Sequence, residues 1–220
     1  LLFTACPVIA SLALSMFRWD LLTPPVYVGA AQFRELLFTD QQFARVALNT
    51  FYFTFGTVPL RVILSLVLAM ALNQGLRGTT AYRVVYFMPV VTSLVAAALV
   101  FQWIFNGNFG ILNTFLRNLG DLFGLDISPP DWLNSSRWSM PAVMILNLWK
   151  NVGFTMGIYL AGLQAVPQEL YEAAEVDGGG AWAKFRYITL PMVSPTTFFV
   201  FIMSLIWAFQ VFEEEYIMTK

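Results

Sequence analysis

The 220-residue chain contains no histidine and a single cysteine, Cys6. Those two absences exclude a His/Cys metal site, a Cys-His nucleophile and a disulfide within the chain. Charge is scarce as well. Asp, Glu, Lys and Arg make up 11% of the residues, against about 25% in a soluble domain. The 12 basic and 13 acidic residues leave a formal net charge of -1, which excludes the basic footprint of a nucleic-acid binder. What fills the chain instead is apolar: 58% of residues are hydrophobic and 16% aromatic, with a mean hydropathy of +0.67. That composition belongs to a membrane protein.

No charged residue occurs from Val84 to Leu116 or from Tyr187 to Phe212. A membrane-spanning helix needs about 20 mostly apolar residues, so each stretch holds one. The opening, Leu1 to Phe17, is also uncharged but lacks an initiating Met and a basic n-region. It therefore reads as a first span missing its start rather than a signal peptide. Five spans follow: Leu1 to Trp19; Ala47 to Leu72, interrupted by Pro59 and Arg61; Tyr82 to Phe105, containing Pro89; Trp138 to Val166, with Lys150 near its middle; and Pro195 to Phe212. Polar connectors separate them, including a long loop from Asn106 to Arg137. All five are expected to be helices, because no alternating ten-residue segments are present to close a barrel. Basic residues do not orient the chain: Arg77, Arg83, Lys184 and Arg186 on one side face Arg18, Arg34, Arg45, Arg117 and Arg137 on the other.

The most unusual connector is Pro167-Gln-Glu-Leu-Tyr-Glu-Ala-Ala-Glu-Val-Asp-Gly-Gly-Gly180. Pro167 suits a helix start, where its missing N–H is no loss. Glu169 and Glu172 favour the positive end of the helix dipole. Ala173 and Ala174 leave a thin face for the close approach of another surface. Asp177-Gly178-Gly179-Gly180 predicts a left-handed C-cap, and Trp182, Phe185 and Ile188 then define an amphipathic return. By local physics alone a solvated connector with ordinary caps explains the same residues. The glutamates lack a companion His or nucleophile for acid/base work. Lys184 stands between Ala183 and Phe185, which does not match a Walker phosphate loop.

Glu172-Ala173-Ala174, Asp177-Gly178, Ile188, Leu190-Pro191 and Pro195 resemble the EAA loop of ABC importer permeases. Leu163-Gln-Ala-Val-Pro-Gln-Glu-Leu-Tyr-Glu-Ala-Ala174 is similar to the carbohydrate-uptake branch, which includes maltose and glycerol-3-phosphate permeases. Similar wording recurs at Phe17-Arg-Trp-Asp20, Asn49-Thr50, Val58-Pro59-Leu60, Arg77-Gly78, Phe87-Met-Pro89, Trp103-Ile-Phe-Asn106, Phe209-Gln-Val-Phe212 and Tyr216-Ile-Met-Thr219. The resemblance covers essentially the whole chain. Departures are Gly179, where the family usually has Ala and which implies a freer corner, and the acidic Glu213-Glu214-Glu215.

The resemblance implies an all-α, polytopic bundle of the type I importer permease kind, with residues 1–220 a fragment holding five of six core spans. Residues 167–191 would be the cytoplasmic coupling loop. The chain would be a non-catalytic subunit in the inner membrane of a prokaryote, carrying a sugar or sugar-like solute. Its implied partners are a cytoplasmic ATP-binding subunit that holds ATP-Mg, a homologous second permease, an extracytoplasmic solute-binding protein and membrane lipid. No cofactor is implied in the chain itself. Coupling to the ATPase would rest on Glu172, Ala173, Ala174, Asp177 and Gly178.

The solute path is less defined by sequence. Asn147 and Lys150 lie at i, i+3 with Asn151 beside them, giving the fourth span one polar face. A mid-membrane charge suggests function by default, yet Lys150 could equally pair with a neighbouring helix for structural reasons. Arg61 raises the same question. Gly153, Gly157 and Ala161 form a small-residue stripe that reads as helix packing. An ion-coupled secondary transporter is the alternative class, but such carriers more often show intramembrane carboxylates or paired broken helices. A membrane enzyme would need a catalytic cluster that the sequence lacks.

Overall fold

The computed structural model describes residues 2–74, 78–125 and 128–218. Arg77, Thr219 and Lys220, which figure in the sequence reading, lie outside these residues. The chain divides into two compact units, Leu1–Phe51 and Tyr52–Lys220.

In the first unit an apolar helix, α1 (Leu2–Leu14), leads into a two-stranded hairpin of β1 (Phe17–Arg18) and β2 (Val26–Tyr27). The strands are antiparallel, with Phe17 opposite Tyr27 and Arg18 opposite Val26. The two aromatic rings meet edge-on at 5.3 Å. Asp20 closes the turn by accepting from the Thr23 hydroxyl at 2.7 Å and the Thr23 and Leu22 N–H groups at 2.8 and 3.1 Å. Those bonds, the Thr23 hydroxyl first, hold its carboxyl below the usual carboxylate range. The first span expected over Leu1 to Trp19 is therefore a shorter helix, because the chain leaves it for the hairpin. Helix α2 (Ala31–Phe38) follows, and Gln32 donates to the Phe17 carbonyl at 2.7 Å.

Asp40 then starts α3 (Gln41–Asn73) by accepting from the N–H groups of Gln42 and Phe43, as an N-cap carboxylate does. Among the described residues α3 is the one helix long and apolar enough to cross a membrane by itself. It runs unbroken through Pro59. At about 1.5 Å per residue its 33 residues exceed the hydrocarbon thickness.

The expected third span is instead a bent pair, α4 (Thr79–Val91) and α5 (Leu94–Ile104), crossing at 98°. Pro89 weakens the helix ahead of the break, and Thr92 and Ser93 are both extended, with ψ of 149° and 132°. The loop expected over Asn106 to Arg137 contains a further amphipathic helix, α6 (Ile111–Phe123), closed by Gly124 at φ 66°. Its buried Asn113 accepts from the Trp132 indole at 2.7 Å and donates to the Gly107 and Pro130 carbonyls.

A helix, α7 (Ser139–Gln164), occupies the range expected for the fourth span. The fifth begins close to its expected start as α11 (Ser194–Phe209). The helical stretch Ala181–Met192 precedes it at a 64° bend. Counting each bent pair as one span gives up to three spans among the described residues that pass on length and apolarity. Helix α7 has the length, but Asn147, Lys150 and Asn151 interrupt its apolar character.

Within the second unit α7 is central. Helix α4 lies against it at Gly153, α3 meets it through Ser65, whose hydroxyl hydrogen-bonds that of Thr155, and α11 packs Thr196 against Gly162. One apolar cluster gathers Phe53, Val58, Ala98, Ala142 and Leu146; a second gathers Leu66, Ala69, Met156, Tyr159 and Val200. On the outer faces, Phe55, Ile63 and Val67 stand exposed on α3. Lipid is the medium that makes such a surface stable, and in it small residues and interhelical hydrogen bonds drive packing.

Candidate functional site

Two regions carry the candidate residues: the short helix after α7 and the polar layer within it. Helix α8 (Gln168–Val176) starts behind Pro167 and has Glu169 in its first turn. It ends as the sequence predicts. Gly178 adopts φ 76°; its N–H donates to the Glu175 carbonyl at 3.0 Å and that of Gly179 to the Ala174 carbonyl at 2.7 Å. This is a Schellman closure, which satisfies carbonyls that a helix end leaves unpaired. A Cβ on Gly179 would lie 2.7 Å from the Ala174 carbonyl oxygen, so the second glycine serves a close backbone approach.

Beyond the corner, α9 (Ala181–Lys184) runs into a π-helical stretch, Phe185–Thr189, and then α10 (Leu190–Met192). Two side-chain ties bind this return to α8. Lys184 pairs with Glu175, and the Tyr171 and Thr189 hydroxyls lie 3.0 Å apart. Glu172, Ala173 and Asp177 are left exposed and Ala174 half-buried. The five coupling candidates therefore sit together on one short helix and its corner.

In the polar layer, Arg61 is wholly buried and donates through Nη2 to Asn147 Oδ1. Asn147 Nδ2 in turn donates to Glu214 Oε1 at 3.0 Å. Glu214 belongs to α12 (Glu213–Met218), so the amide joins α3, α7 and α12. Sequence reasoning did not connect these three residues, which are separated by 86 and 67 positions. Asn151 donates to the Asn147 carbonyl at 2.8 Å. Asn147, Asn151, Gln210, Glu213 and Glu214 line a cavity of about 430 Å³, walled on one side by Leu94.

Lys150 points elsewhere. Its ammonium donates to the carbonyls of Pro89, Val90 and Thr92 at 2.9, 3.0 and 2.6 Å. The structure thus brings Asn147 and Asn151 to the cavity and sends Lys150 to the α4–α5 break. The small-residue stripe also divides. A Cβ on Gly153 would meet the Tyr86 carbonyl oxygen at 1.9 Å, whereas one on Gly157 would meet nothing within 4 Å. The buried hydroxyls of Thr54, Thr57, Ser65 and Thr155 were missed. Their signal was the helical spacing of Thr54, Thr57, Arg61 and Ser65 along α3. Among the described residues no cluster of acidic or sulfur ligands could hold a metal.

Comparison with known proteins gives these regions a context. The family described as "Binding-protein-dependent transport system inner membrane component" matches residues 41–212. The probable ABC transporter permease protein YurN of Bacillus subtilis (strain 168) is 34% identical over 222 residues, covering 100% of this chain and 74% of its own. The arabinooligosaccharides transport system permease protein AraP of the same organism is 34% identical over 219 residues, covering 99% and 67%. The trehalose/maltose transport system permease protein MalF of Thermococcus litoralis is 32% identical over 220 residues, covering 100% and 72%. The fold is that of a chain in the crystal structure of a bacterial ABC transporter involved in the import of the acidic polysaccharide alginate, with a TM-score of 0.78 at 22% identity, over 99% of this chain and 75% of that one. With this match over most of its length, the chain belongs to the family of inner-membrane components of binding-protein-dependent transport systems.

Proposed function

We propose that this chain is the permease subunit of an ATP-driven importer for a sugar or sugar-like solute. It takes the solute from an extracytoplasmic binding protein and works beside a second, homologous permease. The family match over residues 41–212 carries this reading, and the relatives for arabinooligosaccharides and trehalose/maltose support the solute class. The chain performs no chemistry; ATP-Mg is hydrolysed on a separate cytoplasmic subunit.

Coupling is assigned to α8 and its corner. Glu172 and Ala173 are presented outward, where a carboxylate can make a charge-assisted bond to a basic group in the ATPase groove. Ala173 and Ala174 let the groove approach the helix backbone, and Gly178 with Asp177 fixes the angle at which α8 is offered. The solute path is assigned to Asn147 and Asn151 at the cavity; Lys150, expected on the same face of α7, stands off it at the α4–α5 break. Amide and carboxylate groups at the cavity supply both donors and acceptors for sugar hydroxyls.

The test is on the corner. Gly178→Val places a β-branched residue at φ 76°, where such residues are poorly tolerated. Ala174→Trp holds the partner surface away from α8. Both variants should insert in the membrane but lose ATPase-subunit capture and coupled uptake in reconstituted vesicles. Normal capture and uptake in both would reduce α8 to a connector.

A further inference from the structure

We propose that Lys150 is a positioning residue that holds the α4–α5 break in its bent form, and so fixes the wall of the solute cavity without touching the solute. This rests on the permease reading above.

Within a helix each carbonyl accepts from the N–H four residues on; at a C-terminus the last four have no such partner. In water that is tolerable. In a membrane each unsatisfied backbone group costs several kcal/mol, and a helix broken in mid-span must find donors within the protein. After Val91 the chain turns extended at Thr92 and Ser93, stranding the carbonyls about the break. Thr92 serves one locally, its hydroxyl and N–H donating to the Pro89 carbonyl at 2.6 and 3.3 Å. Lys150, from another helix, donates to that same carbonyl and to those of Val90 and Thr92. An ammonium has three N–H donors and no acceptor, and here it has three carbonyl partners at 2.6 to 3.0 Å. Its donors are fully used. The positive charge also sits at the negative end of the α4 dipole.

Two further observations place this contact next to the path. Leu94, the first residue of α5, follows the last of the three carbonyls by two positions and forms part of the cavity wall with Asn147 and Asn151. Gly153, one turn along α7 from Lys150, lets the α4 backbone come within reach of the ammonium. A longer separation between the helices would put three carbonyls beyond one side chain. Lys150 itself does not line the cavity.

The test uses the complete transporter, assembled with its ATPase, in lipid vesicles. The native cysteine is replaced (Cys6→Ser), and spin labels are attached through Val84→Cys on α4 and Leu99→Cys on α5, both exposed. The distance between the labels reports the bend directly and needs no solute. Lys150→Met and Lys150→Gln should broaden and shift the distribution, and Lys150→Arg, which keeps a multivalent cationic donor, should restore it.

Uptake is followed with whichever of labelled maltose, trehalose, lactose and arabinotriose the parent accumulates. The maximal rate in Lys150→Met should fall about tenfold while the half-saturating concentration moves less than about twofold, as expected when geometry and not a solute contact is lost. Assembly lost in the Met and Gln variants but kept in the Arg variant supports the same role. An unchanged distance distribution in Lys150→Met, or a raised half-saturating concentration with the maximal rate intact, overturns it. Should the parent accumulate none of the four saccharides, the solute assignment fails while the distance measurement still decides the role of Lys150.

Discussion

Gly153→Ala and Gly157→Ala make a paired test of helix packing, because the same change one turn apart should have opposite signs. On propensity alone, alanine stabilises a helix interior by about 1 kcal/mol relative to glycine. At Gly157 nothing lies within 4 Å of the added carbon, so Gly157→Ala should be neutral or slightly stabilising. At Gly153 the added carbon would lie 1.9 Å from the Tyr86 carbonyl oxygen and 3.3 Å from Val90 Cγ2. A backbone oxygen cannot rotate away, so α4 and α7 must separate locally by about an ångström, an overpacking strain of about 1–3 kcal/mol. The same displacement would carry the Lys150 ammonium from 2.6–3.0 Å toward the limit of hydrogen bonding at its three carbonyls. With the weakened hydrogen bonds added, these losses exceed the propensity gain by about 1–2 kcal/mol. For a chain of this size the net loss lowers the thermal midpoint by roughly 2–8 °C. The assay is thermal unfolding of the purified, detergent-solubilised complex, with uptake measured in parallel. Equal midpoints for the two variants would refute the close-approach reasoning.

Two further outcomes follow from the same structure. Glu214→Leu and Arg61→Met, each removing one end of the hydrogen-bonded link through Asn147, should each lower the stability of the complex by about 1–3 kcal/mol, the scale for leaving a buried polar group without its partner, and the double variant should lose less than the sum; strict additivity in thermal unfolding would show that Asn147 does not couple them. In intact cells an impermeant thiol reagent, on a Cys6→Ser background, should label a cysteine at Asn134 and not one at Gln168; the reverse pattern would invert the proposed orientation.

Local rules made some of this legible before any coordinates. Asp177-Gly178 announced the left-handed end of α8, because only glycine takes that conformation without strain. Other features left weaker marks. The 98° break between α4 and α5 hides in an uncharged run where hydropathy reports membrane depth and not direction. Pro89 was a hint, but Pro59 sits in a helix that continues, so proline alone could not say which span bends. Helix α6 carried a readable signal, since Ile111, Leu112, Phe115, Leu116 and Leu119 recur at helical spacing, yet the Gly, Asn and Asp around it dominated the reading. The link from Arg61 through Asn147 to Glu214 was beyond local reasoning, for it joins residues far apart in the chain. Polarity in a span gives a reason to seek a partner but does not name one.

The fastening of α8 to the chain that follows it has a mechanical consequence. A helix hung on a single glycine would swivel, and a load applied at Glu172 would be absorbed as rotation about that point. Here the Ala174 carbonyl grips Gly179, Glu175 grips Lys184, and the Tyr171 hydroxyl meets that of Thr189. Attachment at Tyr171, Ala174 and Glu175 ties the segment from Tyr171 to Thr189 together at more than its glycine corner. Thr189 is buried, four residues before the equally buried Val193 at the foot of α11. On the proposed coupling role, a displacement imposed on the exposed arm would be passed toward the packed helices rather than lost as swivel about Gly178.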